Sequence, residues 1–229
     1  MTIPAPLMKL NRKIGRRNAV VGVFGAGYVG LPLACAFSKA GFKTIAGDND
    51  PNKVLAIRAG KSYVEDEYVR KVLPTLVSKK ALDASDDISE VASASDVAII
   101  AVPTPLGANH EPDLSYVTSV AEVIGGELQA GKLVILESSV YPGTTNMIVK
   151  PILEKGGLRV GQDIALAHSP ERIDYNNKKF GILNTPKIVG GVTPTCTRLA
   201  AALYEKVLKA SVITVSNSAT AEAAKMLEN

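Results

Sequence analysis

Three glycines, Gly25, Gly27 and Gly30, stand in G-x-G-x-x-G spacing within "GAGYVG", and Asp48 follows 18 residues after the last of them. The first glycine permits a tight turn, the second lets backbone approach a pyrophosphate, and the third lets a helix pack closely on a strand. Tyr28 and Val29 complete the loop, where the opening helix turns its N–H groups toward phosphate charge. A carboxylate at position 48 accepts from a ribose diol and repels a 2′-phosphate, which favours NAD over NADP. Lys53, at the start of the next helical segment, is placed to cover the adenine ribose. A glycine motif alone is weak, and a Gly-rich turn kept for packing is the alternative. Here an apolar run precedes it and a helical pattern follows, as dinucleotide binding requires.

The elements that must carry these residues are readable as alternating patterns. Apolar runs begin at Ala19, Lys43, Val97, Leu133, Ile164, Lys187 and Ser211, and helical segments such as "LPLACAFSKAG", "PNKVLAIRAG" and "LSYVTSVAEVIGGEL" separate most of them. Continuous apolar strands with helices between them predict an α/β fold, a doubly wound and mostly parallel sheet covered on both faces. Ligands of such sheets lie beyond the carboxyl ends of the strands. The reading divides the chain into a basic tail (1–17), a nucleotide-binding domain (18–215) and the start of a helix (216–229). Ser216, Ser218 or Thr220 is the expected cap of that last helix.

Composition bounds the partners. The chain has 229 residues, 46% hydrophobic and 21% charged, as expected of a globular protein with a sizeable core. Its net charge of +4 is outweighed by five cations, Lys9, Arg12, Lys13, Arg16 and Arg17, which read as a solvated, partly disordered and dispensable tail. No basic face interleaved with aromatics suggests nucleic acid as a partner. The uncharged stretch from Ala19 to Ser38 resembles a membrane span or signal peptide, but its glycines and Pro32 break it into strand, turn and helix, so no membrane partner is expected. Cys35 and Cys196 sit far apart among small or apolar residues, which suggests buried thiols and a cytoplasmic location. His110 and His168 have no companions with metal-ligand spacing, so both read as structural and no metal is expected.

Later strand ends carry "AVPTPLGANHEPDLSYV", "LESSVYPGTT", "AHSPERIDYNNKKF", "NTPKIVGG" and the closing "EAAKMLEN". With "GAGYVGLPLA" these resemble, in order and over nearly the whole chain, the UDP-glucose/UDP-N-acetyl-sugar 6-dehydrogenase family. "SPER" and "NTPKIVGG" look closer to the branch acting on UDP-N-acetylglucosamine and UDP-N-acetylmannosamine. The resemblance implies oxidation of a C6 alcohol to a uronic acid with two NAD, a UDP-N-acetyl-hexosamine substrate and homo-oligomeric full-length enzymes. It places Thr104 near the nicotinamide and a water relay, and Ser139 in a cofactor or water contact. Glu171 orders the hydrolytic water, Arg172 recognises substrate, and Lys225 and Asn229 steady the oxyanion and the substrate. Lys225 and Asn229, four residues apart, share one helix face. Tyr175 and Asn176 replace the family's usual Pro-Gly.

The family's second oxidation uses a cysteine nucleophile in a Gly-rich loop, and this sequence has no such loop. The expectation is therefore a truncated chain, without that loop or the UDP-binding domain, that makes no uronic acid alone and leaves Lys225 and Asn229 mobile on a short helix. A stand-alone NAD-binding or regulatory subunit, or a hydroxy-acid dehydrogenase on the same fold, are the alternatives.

Overall fold

The computed structural model describes residues 3–107, 111–172 and 181–228. Eight strands form one sheet in the order β3-β2-β1-β4-β5-β6-β7-β8. They are β1 (Val20–Phe24), β2 (Lys43–Gly47), β3 (Leu82–Ser85), β4 (Val97–Ile100), β5 (Leu133–Leu136), β6 (Ala165–His168), β7 (Lys187–Gly191) and β8 (Val212–Thr214). All neighbours run parallel except β6 and β7, where Ala167 pairs antiparallel with Gly191 and His168 with Gly190. The mostly parallel, doubly wound expectation is borne out. β3 escaped the sequence reading because only four residues form this edge strand and the exposed Asp83 interrupts them.

The helices are α1 (Ala5–Gly15), α2 (Gly30–Lys39), α3 (Pro51–Arg58), α4 (Glu67–Ser78), α5 (Ile88–Ala94), α6 (Ser115–Gly126), α7 (Lys150–Glu154), α8 (Pro194–Tyr204) and α9 (Ser218–Glu228). A turn of π-type helix, Thr145–Val149, leads into α7. Several starts are fixed by side-chain caps: Asp66 accepts from Val69 N–H, Asp87 from Glu90 N–H and Thr193 from Cys196 N–H. For α9 the cap is Asn217, whose Oδ1 accepts from Thr220 N–H at 2.9 Å, and not Ser216, Ser218 or Thr220. The α9 start also sits tight on β7, since a Cβ at Gly190 would lie 2.1 Å from the Asn217 carbonyl oxygen.

The largest correction concerns the N-terminal segment. It is not a solvated tail: α1 packs against α8 and buries Leu7, Leu10 and Ile14. Its cations lie on the other face, except that Lys13 reaches Asp96 at 2.6 Å. Asp96 also accepts from Val20 N–H at 3.0 Å, so the ion pair ties α1 to the entry of β1. Apolar residues at positions 7, 10 and 14 are a helical stripe whose period the surrounding charge obscured.

Candidate functional site

Residues just beyond the carboxyl ends of β1, β2, β4, β5 and β6 line one cleft of about 550 Å³. Gly25, Gly27, Tyr28, Val29, Asp48, Lys53, Thr104, Ser139, Glu171 and Lys225 all reach it. Gly30 and Arg172 are not among its lining residues, and Asn229 lies outside the described residues, as do His110, Tyr175 and Asn176.

The glycine loop has the geometry its spacing implies. Gly25 takes φ +95°, and a Cβ there would stand 2.7 Å from the Ala101 carbonyl oxygen. A Cβ on Gly30 would fall 1.8 Å from the Gly25 carbonyl oxygen, so any larger residue would push α2 off β1. A Cβ on Gly27 would meet nothing within 4 Å, which leaves the open cradle that a pyrophosphate needs. Asp48 closes the far side: its carboxylate accepts from Ala26 N–H at 2.8 Å and Asp50 N–H at 3.0 Å. Lys53 Nζ meets both of its oxygens, at 3.0 and 3.2 Å. Tyr63, missed by the sequence reading, donates to the Ala26 carbonyl at 2.5 Å and forms part of the wall. Burial, helped by Asp48, raises its phenol well above the usual range, so it stays a donor.

The other end of the cleft is built by the loops after β4, β5 and β6 with α9. Thr104 Oγ1 donates to the Ser139 carbonyl at 2.7 Å, and Ser138 Oγ to the Val102 carbonyl at 2.7 Å, which laces two of these loops together. Lys225 is half-buried and donates from Nζ to the Glu171 carbonyl at 2.6 Å. Burial lowers its ammonium, with Lys187 and Arg172 adding to that and Glu171 opposing it. The expected mobility of Lys225 is thus corrected. Glu222, one turn earlier on α9, is buried and accepts from Gly143 N–H, Thr145 N–H and Thr145 Oγ1 at 2.6, 2.8 and 2.5 Å. A short helix is marginal alone, but this one is bolted to the turn after β5.

Sequence reading also missed the charges behind this wall. Glu137, Lys187 and Tyr204 are buried together, with Lys187 Nζ 2.9 Å from both Glu137 Oε2 and Glu171 Oε2. Tyr204 donates its hydroxyl to Glu137 Oε1. Their only sequence signal is a charge at one end of each of two apolar runs, 50 residues apart.

The two cysteines are free and buried, as expected. Burial, with Asp66 adding to it, pushes the Cys35 thiol up to about 12, while Cys196 Sγ accepts from Leu166 N–H at 3.4 Å. His168 is fully buried, and both ring nitrogens lack partners among the described residues. Burial, reinforced by Lys187, lowers its imidazole to about 3. An unfolded histidine binds its proton near pH 6.5, so this group's contribution is complete above that pH and is lost as pH falls toward 3. Urea unfolding at pH 7 and about pH 4.5 should show the wild type losing about 3 kcal/mol more than His168→Leu. Equal losses would mean that the imidazole gains a proton without leaving its site.

A glycine-loop cradle with a carboxylate at the next strand end, facing a Glu–Lys pair across one cleft, narrows the family, and comparison decides it. Residues 19–208 match the UDP-glucose/GDP-mannose dehydrogenase family, NAD binding domain. The chain belongs to that family. It is 35% identical over 215 residues to UDP-N-acetyl-D-glucosamine 6-dehydrogenase of Pseudomonas aeruginosa, covering 93% of this chain and 49% of that protein. It is 34% identical over 218 residues to UDP-N-acetyl-D-mannosamine dehydrogenase of Escherichia coli K12, covering 92% and 51%. The solved UDP-D-ManNAc dehydrogenase of Pyrococcus horikoshii superposes with a TM-score of 0.86 at 32% identity, over 91% of this chain and 49% of that one. The chain spans about half the length of the curated relatives it matches. Its cofactor class is NAD, and these relatives are oxidoreductases. Among the described residues no helix is long and apolar enough to cross a membrane.

Proposed function

We propose that this chain is the NAD-binding part of a UDP-N-acetyl-hexosamine 6-dehydrogenase, which oxidises the C6 alcohol to a uronic acid. The observation that carries the reading is the meeting of Glu171 and Lys225, 54 residues apart, at the cleft end opposite the glycine loop. NAD, when bound, accepts hydride. The glycine loop and the α2 N-terminus take the pyrophosphate, with Tyr28 and Val29 covering it, and Asp48 and Lys53 hold the adenine ribose. Thr104 and Ser139 line the nicotinamide side, where their hydroxyls contact cofactor or water. Glu171 orders water at the sugar carbon. Lys225 offers positive charge, and Asn229 a neutral amide donor, where an oxyanion develops, and Arg172 contributes to substrate recognition. Buried free thiols support a reducing, cytoplasmic setting. Homo-oligomeric assembly belongs to the same reading.

Calorimetry with NAD and NADP tests the cofactor end. NAD should bind and NADP should not, because the Asp48 carboxylate faces the 2′ position. Asp48→Asn should weaken NAD about tenfold, the scale of one hydrogen bond to a charged group. It also releases Lys53 to meet a 2′-phosphate, so discrimination should shrink. Unchanged NAD affinity in the variant would place the ribose elsewhere.

A further inference from the structure

Behind the cleft wall a line of charge runs from the dry interior to the ligand side. Glu137, at the end of β5, has a side chain 0% exposed, Lys187 5%, and Glu171, at the cleft, 11%. Both Glu137 oxygens accept, one from the Tyr204 hydroxyl and one from Lys187 Nζ. Both Glu171 oxygens accept too, Oε1 from Arg172 N–H at 2.6 Å and Oε2 from Lys187 Nζ at 2.9 Å. A carboxyl whose two oxygens both accept is fixed about its last torsion, and although burial pushes the Glu137 carboxyl up, the Lys187 ammonium beside it pulls it back down. Lys187 Nζ also lies 5.4 Å from the Tyr204 ring centroid, which closes its remaining side.

This arrangement is costly as a filler, because a buried ion pair is commonly no more stable than apolar residues of the same volume. One carboxylate would suffice to neutralise Lys187. The second matters because Glu137 cancels the ammonium from behind, so Lys187 can orient Glu171 without cancelling its charge. We propose that Lys187, held by Glu137 and Tyr204, is the positioning residue that presents Glu171 to the cleft as an oriented, negatively charged acceptor. The proposal rests on the reading of Glu171 as the group that orders water at the sugar.

The test reads Glu171 directly, in the 229-residue chain without cofactor or substrate. A water-soluble carbodiimide with glycine ethyl ester amidates carboxyls, and peptide mass spectrometry gives the rate at Glu171 at pH 6. Carbodiimides act through the protonated carboxyl, so losing a stabilising charge should speed labelling. Lys187→Met/Glu137→Gln removes both charges in near-isosteric form. It should keep its thermal midpoint while Glu171 amidation rises about tenfold, because the Lys187 Nζ hydrogen bond that favours the ionised carboxylate is gone. Lys187→Arg, which keeps the charge, should label within twofold of wild type. Glu137→Gln alone should act in the opposite sense: with its rear partner gone, Lys187 commits to Glu171 and labelling should slow about threefold. A purely structural role predicts faster or unchanged labelling in Glu137→Gln, and that result overturns the proposal even if the double variant does not fold. Unchanged labelling in a folded double variant overturns it as well. Because no turnover is involved, the catalytic reading is judged separately. Should Glu171→Gln leave turnover intact in a chain joined to a relative's C-terminal half, that reading falls while the positioning stands.

Discussion

Deleting the chain up to Arg16 is expected to cost the fold on the order of 4 kcal/mol. Leu7, Leu10 and Ile14 are buried against the rest of the molecule. Full burial of such side chains contributes roughly 1.5–3 kcal/mol each. Ordering the helix returns part of that gain as lost chain entropy. The Lys13–Asp96 pair adds little, since Lys13 is 39% exposed and such pairs contribute roughly 1 kcal/mol or less. Against a typical total stability of about 5–15 kcal/mol, the deletion removes a large share. Urea unfolding should show a lower midpoint or an insoluble product. A Lys9→Gln/Arg12→Gln/Arg16→Gln variant keeps the apolar stripe and should unfold like the wild type. If the deletion changes nothing, α1 does not dock in solution. If the charge variant falls as far as the deletion, charge and not burial holds the segment.

The second large effect should come from Glu222→Ala. That carboxylate is buried, and two N–H groups and a hydroxyl converge on it. Truncation leaves the two buried Thr145 donors and the partly buried Gly143 N–H without this acceptor, and each unsatisfied buried group costs roughly 1–3 kcal/mol. A total loss of about 3–5 kcal/mol follows, allowing for some relaxation and entry of water. Lys225 lies one turn further along α9, so its hold on the Glu171 carbonyl should loosen with the helix. Reductive methylation mapped by mass spectrometry should then reach Lys225 several-fold faster. Glu222→Gln keeps one acceptor but turns an NH₂ toward a donor, so it should fall between. Wild-type unfolding and wild-type Lys225 reactivity in Glu222→Ala would show that packing of Ala221 on its own fixes α9.

What the sequence made legible was local. The glycine loop, the strand before it and Asp48 lie within one βαβ unit, so spacing alone places them together. Lys225 and Glu171 needed a family resemblance, because nothing in a helical lysine says which loop it will touch. The Glu137–Lys187 contact was hidden for a different reason: it joins strands that are not neighbours, with β6 between them. The α1 stripe was present in the spacing of Leu7, Leu10 and Ile14, yet five cations within nine residues outweighed three apolar side chains. Nor do apolar runs encode strand direction, so the reversal of β7 left no mark in its five residues.

That reversal changes which residues of a strand can meet a ligand. In a parallel sheet only the last residue of each strand, and the loop after it, reach the working edge. A strand laid the other way offers its beginning instead. The antiparallel pairing of His168 with Gly190 carries Lys187, the first residue of β7, past the end of β6 to the level of Glu171. The chain thus delivers a cation to the working edge on a rigid strand rather than on a loop, where backbone ladder bonds limit its drift. Reversing the β7–β8 pair gives a doubly wound sheet an extra anchored position at that edge.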